Sequence, residues 1–246
     1  NNVSESAYGI ELSSSNATFV VSNAVSNTSY GIYIGYSHNN TVKGNTLLRS
    51  KVDGIFPASC YDITIKSNEI RESAYGIQLY ESRTVTILGN TATYNGYSVY
   101  LAYSGPSNTV VDNTLSRNDW GVMLYGSSSN TITGNTLSYN TYGVDTGTDS
   151  NNNAFYHNNF IDNAQQAVWN PYYSNTWDNG YPSGGNYWSD YTGTDSKSGP
   201  NQDQPGSDGI GDTPYTIDPS NRDRYPLMSR WGVVHDVAIT SVTVSV

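Results

Sequence analysis

Apolar residues recur along this chain on two periods at once. Over a few residues they alternate with polar ones, as in Ile77-Gln78-Leu79 and Val85-Thr86-Ile87, which sends successive side chains to opposite faces and predicts short strands. Over longer distances the same runs return every 22 or 23 residues. The hexamer from Glu5 to Ile10 reappears unchanged from Glu72 to Ile77, and its relatives are Tyr30-Gly31-Ile32, Asp53-Gly54-Ile55, Tyr97-Ser98-Val99, Trp120-Gly121-Val122, Tyr142-Gly143-Val144 and a degraded Gln166-Ala167-Val168. An asparagine series keeps the same step: Asn1, Asn23, Asn45, Asn68, Asn90, Asn113, Asn135 and Asn158. Two residues after each stands Val3, Val25, Leu47, Ile70, Ala92, Leu115, Leu137 or Phe160.

This period is too short for two-helix repeats, and Val, Ile and Thr among Asn, Ser and Gly disfavour helix. The pattern predicts an all-β fold, a single-stranded parallel β-helix of about seven to eight coils over residues 1–168. Equivalent residues then stack at about 4.8 Å, and the Asn amides bond one another along the axis as structural residues.

If Ile10 and Leu12 and their equivalents point inward, two rows point outward. One holds Glu11, Tyr33, Phe56, Gln78, Tyr100, Met123 and Asp145, and the next Ser13, Gly35, Ala58, Tyr80, Ala102, Tyr125 and Gly147. Tyr33, Phe56, Tyr80, Tyr100 and Tyr125 make a candidate face for a carbohydrate or a protein, since Tyr joins apolar area to a polar tip; equally, these rings can stack only to stabilise the sheet. The acids Glu11 and Asp145 stand six coils apart, roughly 29 Å at strand spacing, whereas acid/base pairs of glycosidases lie within about 10 Å. An enzyme on this face is therefore disfavoured. Tyr8, Tyr30, Tyr75, Tyr97 and Tyr142, each preceding the repeat Gly or its Ser98 counterpart, are read as packing residues that share the inward parity or lie at a corner.

After Trp169 the period stops, and Pro and Gly exclude long regular elements. Residues 169–232 read as a compact, aromatic, Asp-rich cap on the end of the solenoid. Asp195, Asp203, Asp208 and Asp212, with the carbonyl of Ile210, are candidate ligands for Ca²⁺, which takes hard oxygen donors from flexible Gly-rich loops; the alternative is that these aspartates only start turns. Residues 233–246 alternate as one strand, with Val237, Ile239, Val242 and Val244 on one face. The chain opens in mid-coil at Asn1, so this strand and the bare first coil point to self-association, by strand addition or coil against coil, or to truncation.

Composition narrows the partners. The 246 residues carry a net charge of −10, with 9 acidic and 7 basic residues before position 145 and 12 against 4 from there on. Nucleic acid is excluded for lack of a basic stripe. With two Met, one Cys (Cys60) and three scattered His (His38, His157, His235), no copper-binding set is expected. Sequons at Asn2, Asn16, Asn27 and Asn39 permit glycosylation in an extracellular setting, and no run is apolar enough to span a membrane.

The repeats YGIQLYESRTVTILGNTATYN and SNTITGNTLSYNTYGV resemble the right-handed β-helix of NosD-type proteins and their archaeal cell-surface relatives. The tail GGNYWSDYTGTDSKSGPNQDQPGSDGIGDTPYTIDPSNRDRYPL is similar to the segment closing that helix in surface proteins of methanogens. The final HDVAITSVTVSV is similar to the first strand of an immunoglobulin-like domain. The resemblance implies a right-handed helix, an extracytoplasmic location and carbohydrate-related roles. The expected function is a non-enzymatic surface module with a calcium-stabilised cap that associates with itself or neighbouring domains. Glycan binding by the aromatic face is the first alternative, and a polysaccharide lyase or hydrolase the second.

Overall fold

The structure, a computed structural model, describes residues 1–168 and 170–232. The chain winds into a right-handed parallel β-helix. Its first coil contributes β1 (Asn2–Ser4), β2 (Tyr8–Ser13) and β3 (Phe19–Val21). Each heads a sheet: sheet I runs through nine strands from β1 to Tyr187–Trp188, sheet II through eight from β2 to Gln165–Ala167, and sheet III through seven from β3 to Ala154–Tyr156.

Turns between sheets are made by single residues in the left-handed region. Ser67, Gly89, Asp112 and Gly134 precede successive ladder asparagines with φ of 53°, 60°, 54° and 70°, a conformation that Gly adopts freely and Ser and Asp tolerate. Inside, Leu47, Ile70, Leu115, Leu137 and Phe160 of sheet I meet Ile32, Ile55, Ile77, Val99 and Val122 of sheet II and Ile65, Ile87 and Val110 of sheet III, all at 0% exposure. The predicted apolar and asparagine series occupy their predicted registers. The degraded repeat is shifted by one residue: Gln165 pairs with Tyr142 and Ala167 with Val144, because Gln166 fills the position that Gly holds elsewhere.

The asparagines form a wire. Asn113 Nδ2 donates to Asn135 Oδ1 (2.9 Å) and to the carbonyls of Ile87 and Val111, while its Oδ1 accepts from Asn90 N and Nδ2. Three further ladders were not foreseen: Asn95 to Asn163 beside sheet I, Asn108 to Asn175 beside sheet III, and a serine row whose third member is Cys60. The Cys60 thiol, buried, donates to the carbonyls of Ile34 and Ala58.

Residues 170–232 do more than cover the last edge. Trp177 stacks on Phe155 at 4.4 Å, Trp188 on Phe160 at 4.2 Å, and Tyr215 on Trp188 at 4.1 Å, so the first part of the cap is an incomplete further coil. Each asparagine ladder ends there: Asn186 donates to Asp223, Asn221 to Asp218, and Asn163 to Gln166, whose amide donates to Ser189. The expected strand with Val237, Ile239, Val242 and Val244 lies outside the described residues.

Candidate functional site

The outer wall of sheet II is the most distinctive surface. Strand register sets Tyr33 beside Phe56, and Gln78 beside Tyr100, Met123 and Asp145; the next row sets Ala58, Tyr80, Ala102 and Tyr125 side by side. All five candidate aromatics are half-buried. Burial raises Tyr33 and takes Tyr100 to about 12, so both hydroxyls stay protonated.

A third row flanks these two. Tyr8, Tyr30, Tyr75, Tyr97, Trp120 and Tyr142 lie at the outer corner rather than inside, because the following glycine, or the buried Ser98 after Tyr97, takes the inward place. A Cβ on Gly31 would run into the Gly54 carbonyl and the Leu47 side chain. The corner rings stack face to face, Tyr75 on Tyr97 at 5.0 Å and Tyr97 on Trp120 at 4.5 Å, with planes 12° apart. Tyr100 leans against Tyr75 and Tyr97. The wall therefore presents ring edges and hydroxyls, while most ring faces are spent on one another.

Asp53 interrupts the corner row between Tyr30 and Tyr75, and Phe56 leans across to stack on Tyr30 at 6.0 Å. The Asp53 carboxyl is 1% exposed, its Oδ1 has no partner, and burial pushes it up to about 7. Sequence reading did not single it out, since an aspartate is ordinarily read as exposed. Burial also raises Asp145, against a hydrogen bond from Trp120. Asp53 stands four strand spacings and three residues along the strand from Asp145, roughly 22 Å, and about 14 Å from Glu11 counting two spacings and the same three residues. No two of these acids reach acid/base distance.

In the cap, three of the predicted metal ligands, Asp195, Asp208 and Asp212, have partners already. Asp195 accepts from Ser207 Oγ, Asp208 N and Gly209 N; Asp208 from Ile210 N, Gly199 N and Gln202 Nε2. Asp212 accepts from Ser196, Lys197 and Thr194, and the Ser196 hydroxyl above all holds it below the usual carboxylate range. Asp203 is exposed and Ile210 buried. Among the described residues no three of His, Cys, Asp and Glu gather around one point. The sequon asparagines Asn2, Asn16, Asn27 and Asn39 are all exposed.

Among solved structures, the chain is similar to the periplasmic alginate epimerase AlgG, with 26% identity and a TM-score of 0.56 over 59% of this chain and 36% of that one. It thus spans about a third of that relative's length. The Azotobacter vinelandii mannuronan C-5 epimerase AlgE6 A-module shares the fold at 17% identity and a TM-score of 0.59, over 69% of this chain and 53% of that one. No curated protein matches the sequence significantly. The model of the periplasmic copper-binding protein (NosD) family matches residues 1–193, and the chain belongs to that family.

Proposed function

We propose that this chain is a non-catalytic, extracytoplasmic structural module, a stiff solenoid whose sheet II wall serves as a contact surface. One observation carries the reading: ring faces along that wall are turned onto one another and its acids stand too far apart to act together. Purified protein should turn over no acidic polysaccharide, and Glu11→Gln, Asp53→Asn and Asp145→Asn should change nothing; turnover lost in any of them makes it an enzyme.

Glycan binding along the same wall is the second reading, supported by the likeness to AlgG and by the rows of protonated Tyr hydroxyls. Alanine at Tyr33, Phe56, Tyr80, Tyr100 and Tyr125 should then weaken retention on acidic polysaccharide. Unchanged retention leaves the rings a stabilising role only. Self-association belongs to the first reading, and light scattering on the whole chain tests it: a monomer at all concentrations removes it.

The family description includes copper, and the described residues do not fit that ion. His157 is stacked on Trp231 at 3.5 Å with Nε2 2.9 Å from the Ser183 carbonyl, His38 stacks on Tyr61, and Cys60 is enclosed in the serine row. Calcium at Asp195, Asp208 and Asp212 would have to share oxygens that already accept N–H and O–H groups. Calorimetry without binding heat for Ca²⁺ would remove that ion as well. No helix among the described residues is long and apolar enough to cross a membrane.

A further inference from the structure

The turn from sheet III to sheet I is made in each coil by one residue with positive φ, and the row reads Ser22, Gly44, Ser67, Gly89, Asp112, Gly134 and His157. The last member alone carries a ring, and it alone of the row is buried, at 8% exposure. Two parts of the cap cover it. Its Nε2 lies 2.9 Å from the Ser183 carbonyl and 3.2 Å from Ser183 Oγ, which accepts from Asn179 Nδ2. A carbonyl can only accept, so Nε2 carries the hydrogen and Nδ1 is the nitrogen left to take up a proton. Over the ring face lies Trp231, with centroids 3.5 Å and planes 8° apart.

Trp231 is held as a peg. Its N–H donates to Asn159 Oδ1 (2.7 Å) and its carbonyl accepts from Asn159 Nδ2 (3.1 Å), so a single amide grips its backbone at two points. Before it, Ser229 and Arg230 are exposed and make no hydrogen bond among the described residues. The preceding fixed points are Leu227 N on the Asn186 carbonyl and Met228 N on the Gly209 carbonyl. Residues 229–232 are therefore a strap that one residue fastens to the last coil.

We propose that this strap is an acid-released latch, closed while the His157 ring is neutral and freed from His157 and Asn159 when that ring takes a proton. The closed latch has no partner for a charge: no carboxylate pairs with the His157 nitrogens among the described residues. The groups packed on the ring are Tyr156, Ser183 and Trp231, with Asn179 behind Ser183. Of the charged residues next to these in sequence, Asp178 is spent on Arg224, and Arg230 is itself positive. The Trp231 face attracts a cation and works against release, but an imidazolium closed off from water loses more in hydration. Burial accordingly holds His157 below its ordinary 6.5. Because the closed form binds the proton more weakly than the open one, the latch is at full strength above pH 6.5 and weakens as pH falls below it. The strap lies apart from the sheet II wall and depends on neither reading of that wall.

The test is hydrogen exchange at the Trp231 amide of the whole chain from pH 8 to 5, corrected for the intrinsic rate, beside an NMR titration of the His157 ring. It is run on the parent, His157→Phe, which keeps a flat ring under Trp231, and His157→Gln, which keeps a donor for the Ser183 carbonyl. The expected result is a His157 titration below 6.5 and Trp231 protection that falls about fivefold between pH 7 and pH 5 in the parent. Protection around Ile65 should hold over that range, and Trp231 protection should be flat in both variants. A His157 titration at or above 6.5, Trp231 protection that holds or rises on acidification, the same fall in His157→Phe, or loss at Ile65 together with Trp231 would overturn the proposal. Near-UV circular dichroism shows whether each variant keeps the cap, and the parent's two titrations decide the matter if neither does.

Discussion

At the scale of one residue, the ladder asparagine shows why an amide and no other side chain fits. Asn113 is 1% exposed, donates from Nδ2 to three oxygens and accepts at Oδ1 from two nitrogens. Alanine would orphan those groups, at about 1–3 kcal/mol for each one left buried and unpaired, so Asn113→Ala should lower stability by about 3–5 kcal/mol in urea denaturation. Asp53 makes the opposite case, a carboxyl where an aromatic ring is the rule. Its folded-state value near 7 lies above the ordinary 3.8, so the folded chain holds a proton that the unfolded chain releases. Its contribution is full below pH 3.8 and is lost as pH rises through about 7, by at most about 4 kcal/mol. Asp223 is raised in the same direction, so the check is a difference: stability of the parent minus that of Asp53→Asn, measured from pH 4 to 8. That difference should fall with pH, and a flat difference would show that Asp53 is ionised in the fold.

At the scale of the element, the corner row is a stack that depends on its interior members. Tyr97 touches Tyr75, Tyr100 and Trp120, whereas Tyr142 stacks on Trp120 alone. With each aromatic pair contributing about 0.5–1.5 kcal/mol beyond area, Tyr97→Ala should cost roughly two to three times as much as Tyr142→Ala in the same denaturation assay. Equal losses would mean that the rings act singly. The coil period, the inward series and both outer rows were legible in the sequence, because each is a residue type repeated at one step. The ladder beside sheet I that ends at Asn163 was hidden, since its earlier positions are serines, Ser50 and Ser73, and the amide series begins only at Asn95. The slip at Gln165 was hidden because Gln166 puts a side chain where the pattern supplies glycine. The aspartates of the cap were legible as a cluster, but their partners depend on turns that bring together residues such as Asn186 and Asp223, 37 positions apart.

At the scale of the whole molecule, a solenoid is nearly one-dimensional, and each coil is held mainly by its neighbours. Its hydrogen-bonded wires have a direction: each ladder Oδ1 accepts N–H groups from the coil before it, so the C-terminal end must supply an acceptor. Asp223, buried at 0% exposure, is that acceptor for the main wire, receiving Asn186 N (2.7 Å), Asn186 Nδ2 (3.4 Å), Trp188 Nε1 (2.9 Å) and Tyr225 N (3.0 Å). Asp223→Ala leaves these donors buried without a partner and frees Trp188 from its anchor, a loss of about 3–5 kcal/mol confined to one end of a modular array. The expected consequence is a split in unfolding. Hydrogen exchange should show amides of the last coils, around Phe160 and Trp188, exposed at low denaturant, while those around Ile32 and Ile65 keep the protection of the parent. Loss of protection at both ends together would mean that the solenoid opens as a single cooperative unit, in which the terminating carboxylate stabilises every coil rather than the cap alone.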